Sequence, residues 1–257
     1  MSKIHYLAAC LLGLCLSASV LAAEVSALVA WSQKVELGTL VSGVVGAVHV
    51  RPGQKVGRGD ALVTLDDRGF KGEVSRHLAV HRHAQAALEE ARREDERAIE
   101  LYERTVLSDF ERNQAQIALK AARARAAEAH ADLIQARLYL ERSVVRSPFD
   151  GLVLAVNASP GQTIVSAWQS QPLVILADNR VYRARAQISA AQASQLEPGA
   201  ELRATIGDQT LPASVSHVGF EPVGQVGQGP LYELVAEIRV GDGRSLRVGE
   251  AVVLHLD

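Results

Sequence analysis

The sequence predicts an α+β fold, in which a β-sandwich is split by a long antiparallel α-helical coiled-coil hairpin and is followed by a small β-barrel. Three observations predict it. A Gly- and Val-rich motif occurs twice, 108 residues apart; residues 71–142 contain no proline; and the chain after residue 178 alternates short apolar segments with turn residues. We therefore expect the two copies of the motif to meet in space, with the helical segment inserted between them.

Residues 1–23 have the features of a secretory signal peptide. Lys3 precedes a run over residues 6–22 that carries no charge, and small residues stand at its end. The run is shorter than the about 20 apolar residues that a membrane anchor needs. An uncleaved anchor and lipidation at Cys10 are the alternatives. Both cysteines, Cys10 and Cys15, lie in this segment, so the exported chain is expected to have no thiol, disulfide or Cys-based metal site.

The repeated motif consists of short β-branched strands around a Pro-Gly turn. Proline presets φ for the second position of such a turn, and glycine supplies the positive φ of the next position. One copy alone exposes too much strand edge and apolar surface to be stable. Residues 24–70 and 143–178 are therefore predicted to form the two halves of one sandwich. The equivalent positions of the two copies are Gly43, Pro52 and Gly53 in the first, and Gly151, Pro160 and Gly161 in the second.

Residues 71–142 are rich in Ala, Glu, Arg, Leu and Gln, which are good helix formers. A break is expected over residues 106–109, where Ser108 or Asp109 can cap a second helix. Two helices of about 30 residues make a rod roughly 45 Å long. Apolar residues at 3-4 spacing predict the seam between the helices. The predicted seam positions are Val80, Ala84, Ala87, Ala91, Glu94, Ala98 and Leu101, followed by Ala115, Leu119, Ala122, Ala126, Ala129, Leu133, Ala136 and Leu140.

Residues 179–257 are predicted to form the β-barrel. Short strands at this spacing, separated by Gly-, Pro- and Asp-bearing turns, are typical of a small barrel. A helical turn or two is expected over residues 190–196, ended by Pro198-Gly199. The candidate strands span residues 181–188, 201–206, 213–218, 231–240 and 250–256.

Net charge and local motifs argue against nucleic-acid binding, a metal site and a phosphate site. A net charge of -2 gives no basic stripe for nucleic acid. His77, His81 and His83 form a helical cluster, in which the first two share a face and could bind a metal, but no third ligand is evident and a solvated helix face is favoured. The glycine-rich residues 224–229 precede no helix, so a barrel loop is favoured over a phosphate site. We identify no catalytic residue, metal site or cofactor.

This organisation resembles the periplasmic adaptor (membrane fusion protein, HlyD/RND-type) family, whose sandwich is a split lipoyl-like domain. The matching pieces are the two half-motifs, residues 146–151 (Arg-Ser-Pro-Phe-Asp-Gly) and residues 246–250 (Leu-Arg-Val-Gly-Glu). The resemblance implies a non-enzymatic subunit of a tripartite efflux or secretion system. Such a subunit couples an inner-membrane transporter of RND or ABC type to a TolC-like outer-membrane channel. It also implies a periplasmic location at the inner membrane and assembly as a homo-oligomer, a hexamer in the complex.

The resemblance also implies a binding site for the outer-membrane duct at the hairpin tip. Family members that dock onto the duct tend to carry Arg, then Leu four residues later, then Ser seven residues after that. Here the pattern falls on Arg97, Leu101 and Ser108. A cation and a hydroxyl suit carboxylates and carbonyls of a partner, and the leucine sets the helix register. The simpler interpretation is that Arg97 is solvated, Leu101 fills the seam and Ser108 caps a helix.

Two further expectations concern an additional domain of the family and an alternative function. Many members add a β domain next to the inner-membrane pump, built from both chain ends, and the sequence is expected to lack it. The alternative function is an envelope coiled-coil scaffold or binding protein of the same architecture without a pump partner. Co-purification with a transporter distinguishes the two functions.

Overall fold

The computed structural model describes residues 23–166, 171–227, 229–241 and 245–256. The predicted signal peptide lies outside these residues, apart from Ala23. The chain divides into two compact units, one over Trp31–Arg180 and one that combines the N-terminal strand with the chain from Val181 onward. No helix in the described part of the chain is long and apolar enough to cross a membrane.

The described residues form fourteen strands and three helices. The helices are α1 (Arg68–Glu103), α2 (Asp109–Arg142) and α3 (Ala190–Ala193). The strands are β1 (Ala23–Trp31), β2 (Lys34–Leu37), β3 (Gly43–Val48), β4 (Lys55–Val56), β5 (Ala61–Leu65), β6 (Val144–Arg146), β7 (Gly151–Val156), β8 (Thr163–Ile164), β9 (Val174–Ala177), β10 (Val181–Ser189), β11 (Glu201–Ile206), β12 (Gln209–Val226), β13 (Gly229–Arg239) and β14 (Ala251–Leu256).

The two copies of the repeated motif fold together as one sandwich, as the repeat predicts. One sheet has the strand order β2-β9-β7-β4 and the other β6-β5-β3-β8, so each sheet takes strands from both copies. Their inner faces bury a common aliphatic core. Because neither copy completes a sheet alone, the halves depend on each other for folding. The core includes Val45, Leu62, Val63, Leu65, Val153, Leu173, Val174 and Leu176.

Reciprocal hydrogen bonds join the two Pro-Gly turns to the opposite copy. Gly53 N–H donates to Val153 O, and Gly161 N–H donates to Val45 O, both at 2.8 Å. Donors and acceptors are each 108 residues apart, so the two bonds are equivalent under the repeat. Both glycines have positive φ, +82° and +86°, which the turn requires and which side chains disfavour. The sequence repeat is thus a structural repeat at atomic level.

The insert is one long antiparallel helix pair, with α1 of 36 residues and α2 of 34. It leaves the sandwich after β5 and returns at β6, whose residues pair with those of β5. At the base, buried Thr39 Oγ1 donates to the Arg142 carbonyl at 2.9 Å, which satisfies one of the free carbonyls at the end of α2. The rod is thereby fixed to the sandwich at its base.

The seam prediction is confirmed for α2 and partly wrong for α1. All eight predicted positions of α2 are buried or half-buried. On α1, Val80, Ala87 and Glu94 are exposed, whereas Ala84, Ala91, Ala98 and Leu101 are buried or half-buried. An unbroken 4-3 spacing of buried or half-buried positions runs instead along α1, and it includes His77, His81 and Asp95, which a search for apolar residues leaves out. Its positions are His77, His81, Ala84, Leu88, Ala91, Asp95, Ala98 and Tyr102.

The second unit is a closed six-stranded barrel with the order β1-β10-β13-β12-β11-β14. The sequence prediction that residues 24–70 all belong to the sandwich is wrong at its start, because β1 pairs antiparallel with β14, from Ala23↔Leu256 to Leu28↔Ala251. Without β1 the edges of β10 and β14 would be open. The five strands predicted by sequence are present, and β12 is longer than expected, with register shifts opposite β13.

Candidate functional site

At the tip of the helix pair, a five-residue connection over residues 104–108 joins the end of α1 to the start of α2. Thr105 N–H donates to Tyr102 O at 2.8 Å, and Val106 N–H donates to Leu101 O at 2.9 Å, which is the Schellman pattern of helix ends. Thr105 has φ +58°, the only positive φ among the described residues other than glycine. A β-branched residue is disfavoured there, so the tight turn is held by its hydrogen bonds against local preference.

Ser108 caps α2 and pairs with Glu111 in a capping box. Its hydroxyl accepts from Glu111 N–H at 3.3 Å, and the Glu111 carboxylate accepts from the Ser108 N–H at 2.9 Å and hydroxyl at 2.8 Å. The hydrogen bond from the Ser108 backbone N–H lowers the pKa of the Glu111 carboxyl, and the bond from the Ser108 hydroxyl lowers it further, because both stabilise the charged form. The stabilisation from the bonds that the Glu111 carboxylate accepts is therefore fully present above the ordinary titration range of a glutamate and is lost as pH falls through the lowered value.

The structure places all three predicted docking residues at the distal end of the rod. Arg97 is largely exposed and its guanidinium pairs with Glu94, one turn back on α1, at 2.8 Å. Leu101 is half-buried at the seam, and exposed Ser108 begins α2. These positions fit the simpler interpretation of each residue, and they also leave Arg97 and Ser108 on the surface of the tip.

Other tip residues were not singled out from the sequence. The Arg112 guanidinium lies 4.5 Å from the centre of the Tyr102 ring, a cation–π contact that joins α2 to α1. Val106 and Phe110 are 68% and 69% exposed. Phe110 follows the N-cap residue Ser108 by two positions. A bulky apolar residue in the first turn of a capped helix is the sequence feature that could have indicated apolar surface at the tip. The tip surface is thus apolar as well as charged.

The half-motif glycines hold structural positions. Buried Gly151 faces backbone, because a Cβ added to it would lie 2.5 Å from Ala177 O. A Cβ on Gly43 would meet Leu65 Cδ1 at 3.2 Å. Pro52 and Pro160 precede the two turn glycines, as the repeat predicts. These residues shape the sandwich from which the rod extends.

The histidine cluster is divided between two environments. The rings of His81 on α1 and His130 on α2 lie 5.1 Å apart, whereas His83 is exposed. His77 Nδ1 lies 3.9 Å from Asp132 Oδ2 and its Nε2 3.6 Å from Glu73 Oε2. In the part of the chain that the structure describes, no three His, Cys, Asp or Glu residues are grouped to hold a metal. The glycine-rich residues 224–229 span the turn from β12 to β13, with Gln228 outside the described residues.

Comparison with known families gives a match over more than half of the chain. The model of the CzcB-like, barrel-sandwich hybrid domain matches residues 33–178, which cover the sandwich and the helix pair. Among curated proteins, the macrolide export protein MacA of Yersinia pestis is 28% identical over 188 residues. That alignment covers 68% of this chain and 51% of the relative. The chain spans about half the length of the curated relatives it matches.

Solved structures share the fold at lower identity. A membrane fusion protein from Streptococcus pneumoniae R6 aligns with a TM-score of 0.70 at 20% identity, covering 91% of this chain and 98% of that one. MacA from Actinobacillus actinomycetemcomitans aligns with a TM-score of 0.61 at 21% identity, covering 91% of this chain and 78% of that one. Sandwich, helix pair and barrel therefore occur together in other proteins.

Proposed function

We propose that this chain, which belongs to the CzcB-like barrel-sandwich hybrid family, is a periplasmic adaptor of an efflux system. It would couple an inner-membrane transporter of RND or ABC type to a TolC-like outer-membrane channel. The observation that carries the proposal is the inserted helix pair. A helix of 36 residues is about 54 Å long, and it is anchored to a sandwich at one end only. Such a rod suits a bridge between two partners.

The seam supports a rigid rod. Leu133 and four alanines of α2 are buried along the pair, and small side chains let the helices approach closely. We propose that the pair packs as a coiled coil along this seam. A rigid rod holds its tip at a fixed distance from its base. The seam residues named here have a structural role, and we propose no catalytic role for the chain.

The tip is the proposed site of contact with the outer-membrane channel. Arg97 offers a cation there, Ser108 a hydroxyl, and Leu101 fixes the register of the last turn of α1. Exposed Val106 and Phe110 add apolar surface that a helical partner would bury. One tip is a small contact, so a ring of copies, a hexamer by family resemblance, would supply avidity. The chain would work in the periplasm at the inner membrane, without nucleic acid or cofactor.

Docking is tested by substitutions that leave the tip folded. Arg97→Glu removes the pair with Glu94, and we expect it to cost the isolated protein only about 0.5 kcal/mol. Ser108→Asp keeps an N-cap acceptor for the Glu111 N–H and places an anion at the tip, but it removes the hydroxyl that donates to the Glu111 carboxylate, so its unfolding is measured beside export. Each should lower export and channel cross-linking strongly, because like charges across an interface can cost several kcal/mol. A macrolide is the first compound to assay, since the curated relatives are named for macrolide export.

The matched control is Arg137→Glu, which makes the same charge change on an exposed site of α2 near its base. It should leave export unchanged. If Arg97→Glu and Ser108→Asp, singly and together, export and cross-link like the unsubstituted protein, these residues do not seat the rod on the channel.

A further inference from the structure

Two histidines from different helices meet at the seam of the helix pair. The ring centres of His81 on α1 and His130 on α2 are 5.1 Å apart, and the ring planes are inclined by 34°. His81 occupies a half-buried seam position, whereas His130 is exposed at the edge of the seam. Only the folded hairpin brings the two imidazoles together.

One ring nitrogen of this pair has no partner. His81 Nδ1 is buried and makes no hydrogen bond to any residue that the structure describes. A buried polar atom without a partner costs free energy, so this nitrogen is available to a ligand. His77, one turn earlier on α1, differs, because Glu73 and Asp132 each place a carboxylate near one of its ring nitrogens.

The separation of the two rings fits a single metal ion held by both. Imidazole nitrogens bind Zn²⁺ at about 2.0–2.1 Å, and two of them on one tetrahedral ion place their ring centres roughly 5 Å apart. Stacked rings have a similar separation, but stacking supplies no partner for the buried Nδ1, whereas a metal ion does. Imidazole is a ligand that suits Zn²⁺, Cu²⁺ and Ni²⁺.

We propose that His81 and His130 together bind a divalent transition metal ion, which clamps α1 to α2. Two protein ligands are fewer than the four of a structural zinc site, so water completes the coordination and the ion exchanges. Because only the folded pair presents both rings, binding of the ion stabilises the hairpin. The ion stiffens the half of the rod next to the sandwich. The site requires neither a transporter nor a channel.

Metal titration of the full exported chain, purified without a histidine tag, tests the proposal. We expect one ion per chain, with Cu²⁺ bound more tightly than Ni²⁺ or Zn²⁺. Metal at about a hundredfold excess over its Kd should raise the Tm of the helix pair by about 5 °C, measured by circular dichroism. The electron paramagnetic resonance spectrum of bound Cu²⁺ should show two nitrogen ligands from the protein.

Substitution of either ring should remove the site. His81→Gln and His130→Gln should each weaken binding about tenfold or more, since even the groups that orient a metal-binding histidine are worth that much. His130 is exposed, so His130→Gln should leave the hairpin folded, and its circular dichroism without metal checks this. The metal-dependent rise in Tm should disappear in both variants.

His83→Gln and His77→Gln are the matched controls. His83 is exposed on α1, and His77 stands four residues before His81 on the same helix. Both variants should bind the ion like the unsubstituted chain. Unchanged binding in His130→Gln, or loss of binding in His77→Gln, would mean that the ion is not held between the helices by this pair. Either result, or an unsubstituted chain that binds no ion, overturns the proposal and leaves the bridging role untouched.

Discussion

Replacing Gly151 with alanine should lower the free energy of unfolding of the sandwich by about 3 kcal/mol, and valine should lower it further. The added Cβ would lie 2.5 Å from Ala177 O and 3.1 Å from Phe149 Cε2. Ala177 belongs to β9, which pairs with both β2 and β7, so its backbone cannot move without breaking the ladder. Thermal and urea unfolding, followed by circular dichroism, measure the loss.

The matched control is Gly72→Ala. Gly72 lies early in α1, and a Cβ added there meets nothing within 4 Å. Alanine is favoured over glycine inside a helix by about 1 kcal/mol, so stability should be unchanged or higher. A Gly151→Ala protein that melts like the unsubstituted chain would mean that β7 and β9 are not packed as described, and the joint sandwich would have to be abandoned.

Excision of the helix pair should abolish export while leaving the sandwich folded. Leu65 N–H donates to Ser143 O at 2.8 Å, and Thr64 pairs with Val144, so β5 and β6 already have hairpin register at the base of the rod. Replacing residues 66–142 by Asn-Gly closes this register with a two-residue turn. A lower melting temperature is expected, because Phe70, which packs against the sandwich core, is removed.

The readouts are a cooperative unfolding transition and an export assay in cells that lack the native chain. A folded, secreted and inactive variant is the expected result, because the bridge has lost its length. Export at the normal level by a folded variant would show that the rod is not needed, and an adaptor role through the tip would then be untenable.

The repeat and the α2 seam could be predicted from sequence because both depend on local patterns. The offset of 108 residues pairs the Pro-Gly turns without any structure, and the alanines of α2 mark the buried face at 3-4 spacing. The α1 seam could not be predicted in the same way, because His77, His81 and Asp95 occupy inward positions that an apolar pattern assigns to the surface. Packing between long helices tolerates such residues at partly exposed seam positions.

Two other features depend on contacts that sequence patterns do not encode. The strand that contains Val25, Ala27 and Val29 was assigned with residues 24–70 to the sandwich, whereas its partner β14 lies at the other end of the chain. Strand alternation alone does not say which sheet a strand joins. At the tip, Ser108 was a readable cap, whereas Thr105 adopts a left-handed conformation that its side chain disfavours. Only the hydrogen bonds around it explain that turn.

The most direct test of the bridging claim is a photo-cross-linking residue at Val106, introduced into the full chain in the source bacterium. This side chain is 68% exposed at the distal end of the rod. The same residue at exposed Ala79, near the base of α1, is the control. We expect the Val106 position to capture the outer-membrane channel and the Ala79 position not to capture it. Capture of the channel at neither position, or equally at both, would contradict docking through the tip.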